Sequence, residues 1–200
     1  SLDLDDTDDT DPNICSDDDG DGCDDCTNGS YDLANDGFDF DGDGISDISS
    51  QGSSDIFFAK YDSSGTLIWA KSMGGSDSDY GQDIALDGSG NLYVTGYFNS
   101  AMDIDPSSGT TTLTSAGGAD IFIAVYKNDG TFLRGFSLGG SDDDYAYSLD
   151  LDGSSNVYVT GNYSSSADFD PGSGTANLTA VGEYDIFVSK FDNAGSFVWA

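Results

Sequence analysis

Histidine is absent from this chain of 200 residues, and only five residues are basic. Without histidine, the Ser–His and Cys–His pairs that activate a nucleophile cannot be built. Paired carboxylates hydrolyse glycosides in some enzymes, but any such pair is uninformative in a chain with 38 acidic residues. We therefore expect that this protein is not an enzyme.

Basic side chains are also too few to neutralise the phosphates of a nucleic acid or the surface of an anionic membrane. Neither partner is expected. No apolar run approaches the ~20 residues that a membrane-spanning helix needs, and no basic-then-apolar leader opens the chain. We expect a secreted or cell-surface protein that is not inserted in the membrane and whose leader has been removed.

Cysteine is confined to three positions near the start of the chain, Cys15, Cys23 and Cys26. In an extracellular segment these predict one small disulfide and a third thiol that is free or paired elsewhere. Cys23 and Cys26 form a CxxC pair, which makes zinc the alternative. The chain offers no histidine and no second CxxC to complete such a site.

Glutamate is nearly missing as well, since Glu183 is the single one among 38 acidic residues, and the formal net charge is −33. Short aspartate side chains suit Asx-turns and the loops that crowd oxygen ligands around a hard cation. Residues 1–50 hold 18 aspartates and no basic residue, with too few apolar residues to offset chain entropy unaided. We expect cations to fold this segment. The alternative is a disordered acidic linker.

Two nine-residue windows in that segment share the pattern D-x-D-x-D-G-x-x-D. Carboxylates at positions 1, 3, 5 and 9 and a backbone carbonyl at position 7 would surround one Ca²⁺, with glycine allowing the sharp turn. The EF-hand glutamate is missing at position 12, where Asn28 and Ser50 stand. The predicted metal ligands are Asp17, Asp19, Asp21, Cys23 and Asp25 in the first loop, and Asp39, Asp41, Asp43, Ile45 and Asp47 in the second.

The rest of the chain repeats itself with a fixed period of 65 residues, so that the tripeptide Asp-Ile-Phe begins at Asp55, Asp120 and Asp185. A period of this size indicates supersecondary units that stack side by side. We divide the chain into an Asp-rich segment, 1–50, and a β-repeat region, 51–200. The copies of the repeat are about 54–118, 119–183 and a partial copy, 184–200.

Each copy holds short β-branched and aromatic runs divided by glycine-rich turns, which is typical of hairpins. We expect hairpins over 56–70 and 83–98 to form one four-stranded sheet per copy. The run 56–61 is apolar on both faces, which predicts sheets stacked face to face with Trp69 and Trp199 in the core. The predicted fold is all-β, with tandem four-stranded, propeller-blade-like repeats following the irregular calcium-binding segment.

A D-x-D-P motif occurs in both complete copies of the repeat. It has two interpretations: a turn in which aspartate caps backbone amides before the proline, or an additional calcium site. The weaker metal candidates are therefore Asp103, Asp105, Asp168 and Asp170.

Several motifs resemble a known family: GGADIF at 117–122, GG at 74–75 and DGSGNLYVTG at 87–96. They are similar to the bacterial SBBP-type β-propeller repeat, which implies four-stranded blades in a secreted or surface protein and no single activity. A closed propeller needs about four blades or more, whereas about two and a quarter units are present. The acidic loops resemble thrombospondin type 3 repeats, which implies calcium binding, although Ser46 stands where related segments have cysteine.

These observations predict a structural or adhesive bacterial surface module that calcium stabilises and that self-associates into a homopolymer or fibre. Uncapped repeats expose strands and faces that can pair with the next subunit. One alternative is a carbohydrate-binding surface module, with glycans as partners of its aromatic and aspartate-rich loops. The other is an accessory array of a larger secreted enzyme.

Overall fold

The computed structural model describes residues 48–200, so nearly all of the acidic segment 1–50 lies outside the described residues. Every regular element in this range is a β-strand, which confirms the all-β class. Within it we find no helix with the length and hydrophobicity to cross a membrane. The strands are β1 (Ile56–Tyr61), β2 (Leu67–Gly75), β3 (Tyr80–Leu86), β4 (Leu92–Phe98), β5 (Ala101–Asp103), β6 (Thr112–Thr114), β7 (Asp120–Tyr126), β8 (Phe132–Gly140), β9 (Asp144–Leu151), β10 (Val157–Tyr163), β11 (Ser166–Asp168), β12 (Asn177–Thr179), β13 (Asp185–Phe191) and β14 (Phe197–Trp199).

The described chain divides into two compact units. The first contains Phe57–Ser72, where β1 and β2 form a hairpin. Phe58 and Trp69 pack edge to face in this hairpin, with ring centroids 5.9 Å apart. The second unit contains Gln51–Ile56 and Met73–Ala200.

Two antiparallel sheets form the body of the second unit. The first sheet has the order β3-β4-β7-β8 and continues beyond β8 into β11 and β12, while the second sheet has the order β9-β10-β13-β14. β4 pairs with β7 along its whole length. Contrary to our expectation, the two hairpins of this sheet come from different copies of the repeat, because β3–β4 belongs to 54–118 and β7–β8 to 119–183.

Two small hairpins explain this exchange of partners. The β5–β6 hairpin pairs with Gly74 and Gly75 at the end of β2, and the β11–β12 hairpin pairs with Gly139 and Gly140 at the end of β8. Each small hairpin leaves the sheet to which the preceding strand belongs. The edge of β4, and likewise that of β10, is thus free to pair with the first hairpin of the next copy.

The two sheets enclose one hydrophobic core between them. Burying a large aliphatic or aromatic side chain contributes roughly 1.5–3 kcal/mol, so this core dominates the stability of the unit. Its buried members are Tyr93, Ile121, Ile123, Val125 and Leu138 from the first sheet, Ala146, Leu149, Val157, Val159, Tyr163, Phe187 and Phe191 from the second, and Ala167 and Phe169 from β11 and the residue after it.

Burial on both faces, which we predicted for β1, is found in β7 instead. Every residue of β7 is buried, as expected for a strand between two layers. In β1, Phe57 is 59% exposed and Tyr61 is 49% exposed. Trp199 is also 43% exposed, because it lies on the side of the second sheet that faces away from the core, so its assignment to the core was wrong.

Candidate functional site

Aspartates mark one end of the two sheets. Strands β3, β7, β9 and β13 all begin at this end, and an aspartate stands at or directly before the first residue of each strand. We call this region the acidic end. Its aspartates are Asp79, Asp120, Asp144 and Asp185.

Asp144 is fully buried at the acidic end and joins three loops. Its Oδ1 accepts a hydrogen bond from the Ser164 amide (3.0 Å), and its Oδ2 accepts one from the Gly140 amide (2.8 Å). Its own amide donates to the Ala119 carbonyl at 2.7 Å. Burial raises the pKa of Asp144 to about 6, although these hydrogen bonds favour the charged form.

Asp120 lies beside Asp144 and is 3% exposed. Its Oδ2 accepts a hydrogen bond from the Ala116 amide at 2.9 Å, but its Oδ1 has no hydrogen-bond partner among the described residues. A Cβ on Gly139 would lie 2.6 Å from that Oδ1, which explains the glycine of the Gly-Gly motif. Burial, with a smaller contribution from the Asp144 charge, raises the pKa of Asp120 to about 7.

The same arrangement occurs one repeat earlier. Asp79 is 2% exposed, accepts a hydrogen bond from the Asn99 amide (3.1 Å) and donates its own amide to Ser54 (2.7 Å). Burial raises the pKa of Asp79 to about 6. Asp55 accepts a hydrogen bond from the Gln51 amide (2.6 Å), as Asp120 does from Ala116. A pair of adjacent carboxyl groups is therefore built into each of the two complete copies of the repeat.

The D-x-D-P motif forms nested Asx-turns. Asp103 Oδ1 accepts hydrogen bonds from the amides of Asp105 (3.1 Å) and Thr111 (2.8 Å). Asp168 makes the equivalent bonds to Asp170 (3.0 Å) and Ala176 (2.8 Å). Within residues 48–200 no group of three or more His, Cys, Asp or Glu side chains is arranged to hold a metal. Calcium at these four aspartates stays a prediction.

The principal calcium ligands fall outside the described residues, as do the cysteines. This holds for both acidic loops and for the predicted disulfide. The positions concerned are Cys15, Asp17, Asp19, Asp21, Cys23, Asp25, Cys26, Asp39, Asp41, Asp43, Ile45 and Asp47.

Sequence reasoning missed a group of touching tyrosine rings at the acidic end. Ring centroids are 4.9 Å apart for Tyr80 and Tyr97, and 4.7 Å apart for Tyr97 and Tyr145. Tyr145 also lies 6.3 Å from Tyr147 and 6.1 Å from Tyr184. We call these five residues the tyrosine cluster. The available signal was Tyr80 and Tyr145, which occupy equivalent positions one period apart.

Four-stranded antiparallel sheets stacked face to face, built from a 65-residue repeat, are the geometry of propeller blades. Residues 68–101 match the family model of the Beta-propeller repeat (SBBP). The match runs from the second residue of β2 to the first residue of β5. It supports the type of repeat that the sequence motifs indicated.

Two proteins resemble longer stretches of the chain. Regulatory protein FlaEY of Caulobacter vibrioides is 29% identical over 157 residues, which cover 77% of this chain and 16% of that protein. The uncharacterized WD repeat-containing protein L264 of Acanthamoeba polyphaga mimivirus is 28% identical over 115 residues, which cover 50% of this chain and 8% of that protein. The chain thus spans less than a fifth of either relative. Together these matches support a β-propeller repeat module.

Proposed function

We propose that this chain is a calcium-stabilised structural module of a bacterial surface, in which copies of the chain pack head to tail into fibres. One observation carries the proposal. The exposed face of the second sheet, and the exposed strip that β3 contributes to the outer side of the first sheet, are each equivalent, at an offset of 65 residues, to a surface that is buried inside the chain.

The trailing face is the side of the second sheet that points away from the core, and it carries Ile186 and Val188. These side chains are 82% and 47% exposed. The equivalent residues one period earlier, Ile121 and Ile123, are fully buried against the second sheet. The trailing face therefore has the residues of a packing surface without a packed neighbour among residues 48–200.

The leading face is the exposed strip that β3 forms on the side of the first sheet opposite the core, and it carries Ile84 and Leu86. The rest of that side is covered by the chain itself, since every residue of β7 is buried. They are 59% and 66% exposed. Leu149, one period after Ile84, is only 5% exposed and belongs to the core between the sheets. Inside the chain, a face of the trailing type thus packs on a face of the leading type.

A second copy of the chain can repeat this internal contact, with its leading face on the trailing face of the first copy. Such a contact is heterologous, because different surfaces meet, and it continues into a filament unless the rotation between copies closes a ring. Exposed apolar patches of this kind mark interaction surfaces in soluble proteins. The free faces accordingly support self-association as the partner relation of this module.

In this proposal, calcium acts by reducing the negative charge of each copy. Copies that each carry a formal charge of −33 repel one another. Divalent cations held by the two D-x-D-x-D-G-x-x-D loops would lower that charge and order the acidic segment. The same charge, the acidic loops and the cysteine pattern support an extracellular location.

Single-face variants test the head-to-tail contact. Ile84→Asp removes the leading face and Ile186→Asp removes the trailing face. In sedimentation velocity with millimolar calcium we expect the wild-type chain to form long oligomers and each variant to remain monomeric. A mixture of the two variants should form one-to-one dimers, because each variant keeps the face that the other lacks.

Val181→Asp is the matched control, since Val181 is 89% exposed but precedes β13 in a loop and lies on neither face. It should assemble as the wild-type chain does. A monomeric wild-type chain at millimolar calcium, or a mixture that stays monomeric while both variants are folded, would sink the proposal.

A further inference from the structure

The tyrosine cluster presents aromatic surface to solvent. Tyr80, Tyr147 and Tyr184 are 40%, 48% and 45% exposed. Tyr80 remains exposed although its sheet is packed against the second sheet, and Tyr145 occupies the equivalent position one period later. Sheet packing of the kind described above therefore leaves part of this edge open. Tyr145 lies opposite Asn162, which in turn lies opposite Ile186, so the cluster adjoins the trailing face.

One carboxylate contacts the cluster, that of Asp143, which is hydrogen-bonded to Tyr145. Asp79 and Asp144 directly precede Tyr80 and Tyr145 in the chain, but both are buried. Burial, followed by a hydrogen bond with the Asp143 carboxylate, raises the pKa of Tyr145, so its ring carries a neutral phenol at physiological pH. The Tyr145 ring thus presents the negative face of its quadrupole beside formal negative charge.

Basic side chains of the second unit lie far from the cluster along the strands. Lys127 directly follows the last residue of β7, whereas Tyr97 pairs with Ile121, which lies near the start of β7. Arg134, on β8, pairs with Val125, which lies near the end of β7. At about 3.3 Å per residue, these positions are roughly 13–20 Å from the tyrosines along the sheet. The negative charge at the cluster is therefore not compensated by a neighbouring cation of this unit.

The protein already contains the combination that the cluster lacks. Lys190 Nζ lies 4.7 Å from the ring centroid of Tyr158 and 3.6 Å from the Asp152 carboxylate. The Arg134 guanidinium lies 5.8 Å from the ring centroid of Tyr93. At Lys190 a cation lies on a tyrosine ring and also pairs with a carboxylate, whereas at Arg134 a cation lies on a tyrosine ring and donates to a backbone carbonyl. The tyrosine cluster offers the same rings and a carboxylate without the cation.

We propose that the tyrosine cluster is a binding site for arginine side chains on a basic segment of another polypeptide. The planar guanidinium group stacks on aromatic rings and also pairs with carboxylates, which a lysine ammonium does less well. The arginine comes from another molecule, because the single arginine of this chain, Arg134, already donates to Asn193. Anionic ligands are repelled by the net negative charge of the chain.

The experiment compares a tetra-arginine peptide with its tetra-citrulline analogue, which has the same shape without the charge. Binding is measured by titration calorimetry on the full chain with calcium at about 0.15 M NaCl, where long-range attraction is screened. We expect tetra-arginine to bind and tetra-citrulline not to bind. Replacing two of the three exposed rings in the variant Y147L/Y184L should weaken tetra-arginine binding roughly tenfold, whereas Y147F/Y184F, which keeps the rings, should bind normally.

Tyr61→Leu is the matched control, because Tyr61 is 49% exposed and lies outside the cluster. Circular dichroism of each variant verifies that its sheets are intact. Equal tetra-arginine affinity in wild type and in Y147L/Y184L would show attraction to net charge alone and would overturn the proposal. So would binding of a neutral hexasaccharide that Y147L/Y184L loses and that salt does not weaken, since this outcome would make the cluster a glycan site.

Discussion

At the scale of single residues, aspartate serves two opposite purposes in this protein. In the hairpin turns it accepts backbone hydrogen bonds and stays charged: hydrogen bonds from the side chain and amide of Asn156 lower the pKa of Asp152 to about 2. At the acidic end it is buried, and desolvation raises the pKa of Asp120 to about 7. The residue type is the same, and the difference is burial.

The buried carboxyl groups predict a stability that falls as the pH rises. A folded pKa of about 7 for Asp120 lies above the unfolded value of about 4, so the folded state binds the proton more tightly. The stability from this group is present below pH 4 and is lost between pH 4 and 7. Between pH 4 and 7 the free energy of unfolding of the wild type should therefore fall. In Asp120→Asn this fall should be smaller, by roughly 2–4 kcal/mol.

Denaturant titrations at several pH values measure this slope, which is informative even if the substitution changes absolute stability. Asp142→Asn removes the same charge at an exposed position of the neighbouring loop and serves as the control for general repulsion among carboxylates. An identical pH dependence in the two variants would contradict a special role for Asp120.

At the scale of elements, one glycine per second hairpin permits a bulge. The pairing of β9 with β10 shifts register at Gly161, and the pairing of β3 with β4 shifts at Gly81 and Asp83, beside Gly96. A Cβ on Gly161 would overlap the Tyr145 carbonyl oxygen, and one on Gly96 would overlap the Tyr80 carbonyl oxygen. The glycine of the Tyr-Val-Thr-Gly run therefore lets two backbones approach closely.

Gly161→Ala should destabilise the protein by about 2 kcal/mol or more, because the methyl group meets backbone that cannot rotate away. Gly153→Ala is the control, since a Cβ there has open space around it. Thermal unfolding followed by circular dichroism compares the two. If both variants have the melting temperature of the wild type, the close approach at Gly161 does not contribute to stability.

At the scale of the whole molecule, calcium and sheet packing are assigned to different parts of the chain. The acidic loops lie in 1–50, while the described D-x-D-P aspartates already accept backbone hydrogen bonds. The sheets and their core are built from 51–200. We therefore expect calcium binding and sheet stability to respond to different substitutions.

The double variant D21N/D43N should lose calcium affinity by roughly tenfold or more, because each substitution removes a charged ligand from one loop. Isothermal titration of calcium into the metal-free chain measures this. The double variant D103A/D168A should bind calcium as the wild type does, while its thermal stability drops through the loss of turn hydrogen bonds. If the substitutions at Asp103 and Asp168 weaken calcium binding and D21N/D43N does not, the calcium sites lie in the sheet region.

Much of the fold could be predicted from the sequence, but which strands pair with one another could not. The 65-residue period, the hairpins and the all-β class followed from local patterns of apolar and turn residues. The period does not say whether β4 pairs within its own copy or with β7 of the next, since both arrangements bury equivalent side chains. The small β5–β6 hairpin decided this, and its three-residue strands carry little pattern of their own.

The candidate site divides in the same way. Composition alone predicts that histidine-based catalysis and nucleic-acid partners are absent, because those functions need side chains that this chain has few or none of; both stay predictions. Only the tertiary structure placed Tyr97 against Tyr145 and buried Asp120 beside Asp144, since residues from different strands are brought together by sheet packing. Local sequence specifies what each strand can bury, whereas the neighbours it meets depend on contacts between distant parts of the chain.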